Sequence, residues 1–205
     1  MREAGNRQEG SGTLSWVLAV STIVVGAMWR PHHATADQQP GTGPDEIRVT
    51  SLEHPGTSVR WGRAEGVVQA PLSRVMSVVS DYGAYHEFLP HFRASRVLSQ
   101  RGSKALVYME AGVARDTLTI WAQLKIAPRQ TDGRTRVIEA HMMKGNLDHM
   151  EATWEITPID AHRTRVAFQI LVDPKVPLPA SLVSRENEKA SKQTIGALRK
   201  RLKAG

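Results

Sequence analysis

The residues with the clearest capacity for chemistry lie in one short stretch, HEFLPH, from His86 to His91. Two histidines around a glutamate suggest a zinc hydrolase, whose helical motif holds its histidines four residues apart with the glutamate as general base. Here the histidines are five residues apart, about 140° around a helix, and Pro90 ends any helix between them. The stretch therefore does not match the zinc motif. The remaining metal hypothesis is a looser site that uses four histidines: His86, His91, His141 and His149.

Other catalytic patterns find little support. The chain contains no cysteine, which excludes thiolate zinc sites, cysteine nucleophiles and disulfide bonds. It also lacks the G-x-S-x-G turn of serine hydrolases. Glu139 and His141 share one face of a strand, and Glu110 and Asp116 flank a turn, but solvated residues on an outer face explain both pairs. We therefore predict no catalytic residue, no metal site and no cofactor.

The N-terminal region differs in composition from the rest of the chain. Arg2 and Arg7 precede an uncharged apolar run at 14–29, and the small-residue triplet Ala34-Thr35-Ala36 follows it. The run is shorter than the about 20 residues that span a bilayer, and it suits a signal peptide. We predict a signal peptide or membrane anchor at 1–36, a linker at 37–45 and one domain at 46–205. The domain is then periplasmic or secreted, tethered to the inner membrane if the segment is not cleaved.

The net charge of +7 favours anionic partners, either lipid head groups or nucleic acid. Export across a membrane argues against nucleic acid, and we expect no such partner. The basic residues are spread along the chain except for a group near the C-terminus, where they complement the dipole of the last helix. Contact with a membrane surface is the alternative role for this group, which consists of Arg199, Lys200, Arg201 and Lys203.

Hydrophobic periodicity predicts an α+β chain. Alternation around Ile47 and at 58–67 indicates two first strands, where Gly62 and Gly66 suggest a bend or bulge. Apolar spacing after Pro71 predicts a short helix, and Tyr82, Tyr85 and Phe88 continue at helical spacing to Pro90. A helix with an apolar stripe is predicted at 180–202. The turn signals between these helices delimit six strands, at 94–100, 104–110, 116–127, 135–144, 148–158 and 163–173.

This order of elements predicts a helix-grip fold, a curved antiparallel sheet wrapped around a long C-terminal helix with two short helices after the first strand. A long sheet with one amphipathic helix must curl its apolar face around that helix. Such a sheet seldom closes tightly enough to fill its interior. We therefore expect a cavity between sheet and helix, with its mouth near the short helices.

Three stretches carry a family resemblance. They are GVVQAPLSRVMSVVSDYGAYHEFLPHFRASRVL at 66–98, KGNLDHMEATWEITPI at 144–159 and RTRVAFQILVDPKVPLPASLV at 163–183. Together they resemble the START-like (SRPBCC, helix-grip) superfamily, and more narrowly its polyketide cyclase/dehydrase and coenzyme Q-binding branch. Many members of that branch bind lipids or quinones without catalysing a reaction. The resemblance therefore implies the fold and a ligand class rather than an activity.

The sequence predicts that the domain binds or carries a hydrophobic small molecule, such as a lipid, an isoprenoid quinone or a polyketide-like chain, outside the cytoplasm. Two alternatives stay open, a cyclase/dehydrase-type enzyme and a protein-interaction module with a filled interior. Trp121 lies opposite its apolar neighbours and is either a lining residue or an exposed contact. The predicted ligand-binding residues are Tyr82, Tyr85, Phe88 and Leu89 at the entrance, Trp121, Met142, Met150 and Trp154 on the sheet, and Leu182 and Val183 on the helix.

Overall fold

A computed structural model describes residues 46–113, 118–129, 131 and 133–204. The predicted signal segment and linker lie outside these residues. The predicted strands and both helical regions are confirmed. The strands are β1 (Arg48–His54), β2 (Thr57–Val68), β3 (Phe92–Arg101), β4 (Lys104–Val113), β5 (Leu118–Arg129), β6 (Arg136–Gly145), β7 (Leu147–Pro158) and β8 (Thr164–Pro174). The helices are α1 (Leu72–Val79), a 3-10 turn (Tyr82–Ala84), α2 (Tyr85–Phe88) and α3 (Ala180–Ala204).

The strands form one antiparallel, curved sheet in the order β1-β2-β8-β7-β6-β5-β4-β3. Consecutive strands from β3 to β8 pair as hairpins, as the turn signals predict. The β3–β4 hairpin pairs Arg101 with Lys104, and Gly102 between them adopts a positive φ of 58°, a conformation that glycine reaches without steric cost. We call β1 and β2 the first hairpin. Because β8 pairs with β2, the first hairpin and the strands β3 to β8 form one continuous sheet.

The short helices between β2 and β3 cover part of the inner face of the sheet. Pro71 precedes α1, where its missing N–H costs no helical hydrogen bond, and the apolar spacing of this helix buries Val75, Val78 and Val79. After α2, His91 takes a positive φ of 67° and turns the chain into β3. Its carbonyl oxygen accepts a hydrogen bond from the Gly112 N–H on β4. The stretch HEFLPH is therefore a helical turn followed by a chain reversal.

The long helix α3 begins between two strands that separate. Pairing of β2 with β8 ends at Gly62 and Ile170. Two residues further along each strand, the Asn187 amide donates to the carbonyl oxygens of Arg60 and Val172 and accepts from the Val172 N–H. The Ser184 hydroxyl accepts from the Arg60 N–H. Ser184 and Asn187 of the helix thus replace the hydrogen bonds that β2 and β8 no longer make with each other. The backbone groups of both strands keep partners.

None of the helices in the described part of the chain combines the length and the hydropathy that crossing a bilayer requires. The N-terminal apolar run lies outside that part.

Candidate ligand-binding site

The inner face of the sheet from β5 to β8 is apolar except at the first residues of β6 and β8. Side chains alternate between the two faces of a strand, and the buried Leu124, Ile138, Trp154 and Val166 mark the inner face of each strand. The two exceptions lie at strand ends: the Thr164 hydroxyl donates to the Ala70 carbonyl oxygen, and Arg136 is exposed. The apolar residues of this face are Leu118, Ile120, Ala122, Leu124 and Ile126 on β5, Ile138, Ala140 and Met142 on β6, Met150, Ala152, Trp154 and Ile156 on β7, and Val166, Phe168, Ile170 and Val172 on β8.

The strand register arranges these residues in rows across the sheet, and the middle row has the smallest side chains. Ala140 pairs with Ala152, which pairs with Ile170. The row on one side contains Met142 and Met150, and the row on the other contains Ile138, Trp154 and Phe168. Two alanines between rows of large side chains leave a depression in the inner face.

The depression is accessible in the structure. Ala140 and Ala152 lie in the middle of the sheet, yet both are only partly buried, as are their neighbours Met142 and Ile170. A well-packed core would enclose such central alanines completely. We call this region the alanine hollow and define it by Ala140, Ala152, Met142, Met150 and Ile170. It is apolar, and the methionines at its border have flexible, polarisable side chains that adapt to a ligand's shape.

The helix α3 does not fill the hollow, because it packs on the part of the sheet around β2 rather than on β6 and β7. Its contacts are mainly with β2 and β8. At Gly62 the backbone of Asn187 comes so close that a Cβ atom on Gly62 would overlap the Asn187 carbonyl group. Direct contact between helix and strand backbones on that side leaves β6 and β7 beside the helix rather than beneath it.

The aromatic residues predicted for the entrance form a layer next to the hollow, in which Tyr82 and Tyr85 are buried and Phe88 is partly buried. Tyr82 and Tyr85 meet edge to face with ring centroids 6.0 Å apart, and Tyr85 meets Phe88 at 5.6 Å. The Tyr85 hydroxyl donates to the Val79 carbonyl oxygen at 2.6 Å. Burial raises the pKa of Tyr85 well above its ordinary range, so its phenol stays protonated. Leu89 is also buried.

The neighbouring sheet residues continue this layer. Trp154 is buried and packs on Phe168 with ring centroids 4.5 Å apart. Tyr85 lies within interaction distance of the Trp154 indole. The aromatic layer therefore runs from α2 to the row beside Ala140 and Ala152.

A surface groove of about 360 Å³ lies on the far side of the aromatic layer. Phe88 is its apolar wall, and the Arg201 guanidinium stands 5.8 Å from the centre of that ring. Arg201 also pairs with Glu87 at 2.7 Å. The groove lies near the short helices, where sequence predicts a mouth, but none of its lining residues belongs to the alanine hollow. Its lining residues are Arg74, Ser77, Val78, Asp81, Ala84, Phe88, Arg201 and Ala204.

Three of the predicted ligand-binding residues lie elsewhere. Trp121 is on the outer face of β5, stacked on Tyr108 with ring centroids 6.0 Å apart. Leu182 points to solvent, with 44% of its surface exposed. Val183 is buried in a separate small cluster with Val59 and Leu171, at the place where β2 and β8 part. The structure thus brings Met142 and Met150 to the hollow. It brings the other five, Tyr82, Tyr85, Phe88, Leu89 and Trp154, to the adjoining aromatic layer.

Sequence reasoning missed Ala140 and Ala152, the residues that create the space. Their signal is a pair of small residues on neighbouring strands, each flanked by larger inner-face residues two positions away. The histidines of HEFLPH do not contribute to the site. His86 is exposed and bonds through Nδ1 to the Gly83 carbonyl oxygen at 2.9 Å, and His91 is exposed as well.

Comparison with known proteins identifies the family. The model of the family described as "Polyketide cyclase / dehydrase and lipid transport" matches residues 68–199. No curated protein matches the sequence significantly. Among solved structures, a STAR-related lipid transfer protein from Xanthomonas axonopodis is similar, with a TM-score of 0.69 and 18% identity over 80% of this chain and 97% of that one.

Two further structures share the fold. Human StAR-related lipid transfer protein 5 has a TM-score of 0.68 and 14% identity, over 78% of this chain and 83% of its own. The Zhui aromatase/cyclase from Streptomyces sp. R1128 has a TM-score of 0.56 and 18% identity, over 77% and 94%. At these identities the likeness shows the helix-grip fold alone.

Proposed function

This chain belongs to the polyketide cyclase / dehydrase and lipid transport family, and on that premise we propose that it binds a hydrophobic small molecule in the alanine hollow. The observation that carries the proposal is the partial exposure of Ala140 and Ala152 in the middle of an apolar inner face. A lipid, an isoprenoid quinone or a polyketide-like chain has the apolar surface to fill this space.

Desolvation of the ligand supplies the binding energy. Burying about 300 Å² of apolar surface contributes about 7.5 kcal/mol at 25 cal/mol per Å². Part of this is lost to the ordering of the ligand and of the methionines at the border. The remainder supports reversible binding, which suits a carrier better than a permanent store.

A cyclase-type reaction has less support. Acid–base catalysis needs a titratable group within hydrogen-bond reach of the reacting atoms. The inner-face positions around the hollow carry only apolar side chains, and the hydroxyls of Thr164 and Tyr85 already donate to backbone carbonyls. Binding and transport therefore agree better with the geometry than catalysis does.

The location of the protein remains part of the proposal. Arg2 and Arg7, the apolar run at 14–29 and the small residues at 34–36 support export of the domain. N-terminal sequencing of the protein from fractionated cells tests it. A mature chain that begins near residue 37 in the extracytoplasmic fraction is expected, and an intact N-terminus in the cytoplasmic fraction would refute export.

The binding proposal is tested with the full chain and an anthroyloxy-labelled stearic acid as probe. Titration should show saturable binding, and native mass spectrometry should show one probe per chain. Ala152→Leu places a larger side chain in the hollow and should weaken binding at least tenfold. Ala127→Leu is the matched control, because Ala127 is on the outer face of β5.

The control variant should bind as the unmodified chain does. Equal binding by all three proteins would move the ligand out of the hollow. Failure of the unmodified chain to bind the probe, or any lipid or quinone extracted from its own cells, would refute the function.

A further inference from the structure

A cluster of metal-binding side chains lies on the outer face of the sheet, away from the alanine hollow. It consists of His54 at the end of β1 and of His149 and Glu151 on β7, and we call it the His54 cluster. One donor atom from each of the three residues lies within 4.8 Å of the others. Sequence reasoning placed His149 in a loose set of histidines, did not include His54 and predicted no metal site.

The fold brings these residues together although two strands separate β1 from β7 in the sheet. Beyond Gly62 the first hairpin leaves the ladder with β8. It then lies over the outer face of β8, where the Thr57 hydroxyl donates to the Asp173 carboxylate at 2.7 Å. As a result the His54 and His149 rings are 5.1 Å apart, at a tilt of 50°.

The donor atoms of His149 and Glu151 lie close together but do not form a hydrogen bond. Nε2 of His149 is 3.1 Å from a carboxylate oxygen of Glu151. This nitrogen is shielded from solvent, and within the described residues it forms no hydrogen bond of acceptable geometry. A buried polar atom without a partner carries a free-energy cost. A cation between the nitrogen and the oxygen would remove that cost, since both would direct lone pairs at it.

We propose that the His54 cluster binds a divalent transition-metal ion, and that Zn²⁺ fits it best. Two imidazole nitrogens and one carboxylate oxygen are a common donor set for zinc, with a fourth position open to water. Donor atoms around tetrahedral zinc are about 3.3 Å apart, which the His149–Glu151 pair already approaches. The partly exposed His54 ring completes the set by rotating inward.

Metal binding has a local cost at His54. Its Nδ1 accepts a hydrogen bond from the Gly56 N–H at 3.0 Å, so a neutral ring carries its proton on Nε2. Coordination through Nε2 moves that proton to Nδ1 and releases the bond. We therefore expect the turn at Gly56 to change its backbone environment when zinc binds.

Two further side chains with charge or donor atoms lie around Glu151. His141 approaches the same Glu151 oxygen at 3.5 Å from the other side, and Glu139 pairs with Arg129 at 2.7 Å. Arg129 is thus the charged partner of Glu139, and His141 is a further imidazole that zinc binding would compete with for Glu151. The metal would link the first hairpin to β7 across the place where α3 inserts.

The test measures Zn²⁺ binding to the full chain, made without a histidine tag and freed of metal with a chelator. His32→Ala and His33→Ala are introduced first, because these adjacent histidines near the N-terminus could bind zinc themselves. Calorimetry should show one Zn²⁺ per chain. Zinc in excess should raise Tm by about 5 °C, since it binds the folded state only.

Variants at the cluster separate a built site from scattered surface binding. His149→Ala and Glu151→Gln should each weaken zinc binding at least tenfold, since loss of even an outer-shell partner of a metal ligand costs about 10- to 100-fold. His86→Ala removes an exposed histidine far along the chain and should leave the affinity unchanged. Metal-free circular dichroism should be the same for all variants, which shows that they fold.

Two results would overturn the proposal. One is the absence of saturable zinc binding to the protein that carries the His32→Ala and His33→Ala changes. The other is an affinity that His149→Ala and Glu151→Gln lower no more than His86→Ala does. Neither result depends on whether the alanine hollow binds a ligand.

Discussion

On β2 the inner face of the sheet presents Gly62, Ala64 and Gly66, and α3 packs on these residues with backbone contact at Gly62. On β6 and β7 the same face presents Ala140 and Ala152, which stay partly exposed while α3 packs mainly on β2 and β8. Small residues thus serve opposite purposes on the two halves. On β2 they admit the helix, and on the other half they leave room that the helix does not take.

The difference follows from where α3 is anchored. Ser184 and Asn187 fix the start of the helix between β2 and β8 through four hydrogen bonds to the strand backbones. The helix cannot move toward β6 and β7 without leaving those backbone groups unpaired. Tight packing on one half therefore preserves the space on the other.

The largest expected effect is at the point of closest packing. Gly62→Ala places a methyl group against the Asn187 carbonyl and should lower the free energy of unfolding by about 4 kcal/mol or more. Gly196→Ala in α3 is the control, because a Cβ there meets nothing within 4 Å and alanine favours the helix by up to about 1 kcal/mol. Urea denaturation measures both. A Gly62→Ala protein as stable as the parent would show that the helix does not touch the strand.

Removal of the anchor should have the next largest effect. Asn187→Ala removes the buried amide that bonds the backbone groups of Arg60 and Val172 and should cost about 3 kcal/mol of stability. Lys192→Ala, an exposed position of the same helix, should change stability by less than about 0.5 kcal/mol. If urea titrations of the two variants coincide, water replaces the amide and the anchor is dispensable.

The two halves should respond differently to the same substitution. Ala64→Leu overpacks a fully buried position and should cost about 2 kcal/mol. Ala152→Leu has free space before it, so thermal and urea unfolding should change by less than about 1 kcal/mol. Equal destabilisation would mean that the hollow is as tightly packed as the contact with α3.

The smallest effect concerns the outer face and depends on pH. The Arg63 guanidinium donates to Glu155 at 2.7 Å and holds the pKa of that carboxyl below its ordinary value of 4.5. Ionised Glu155 thus stabilises the fold above pH 4.5, and this contribution disappears as pH falls through the lowered pKa. Because the pair is partly exposed, we expect less than about 1 kcal/mol.

Comparison with Glu155→Gln isolates this contribution. The stability difference between the two proteins should be constant near neutral pH and vanish in acid. Thermal unfolding at several pH values measures this stability difference. A difference that grows in acid would contradict a stabilising Arg63–Glu155 pair.

Much of the architecture could be predicted from the sequence because it depends on local signals. Alternating residues in Met150–Ile156 and Val166–Val172 identified the inner face of two strands, and turn residues separated them. Gly62 and Gly66 suggested a bend, but the structure shows close approach of a helix at Gly62. A glycine in a strand indicates that space is needed next to the backbone, but it does not indicate which segment occupies that space.

The rest of the site depends on contacts between distant segments. Ala140 and Ala152 carry no signal individually, and only the strand register makes them neighbours. Leu182 and Val183 both belong to the apolar stripe of α3, yet the insertion of the helix between two strands buries one and exposes the other. His54 meets His149 only because the first hairpin leaves the sheet.

The most direct measurement of the central claim uses methyl NMR of the full chain labelled at its methionine methyl groups. On titration with the labelled stearic acid, the resonances of Met142 and Met150 should shift in proportion to occupancy. Those of Met76 on α1 and of the exposed Met143 should stay in place. Binding that shifts Met76 or Met143 and leaves Met142 and Met150 unchanged would place the ligand outside the alanine hollow and contradict the account.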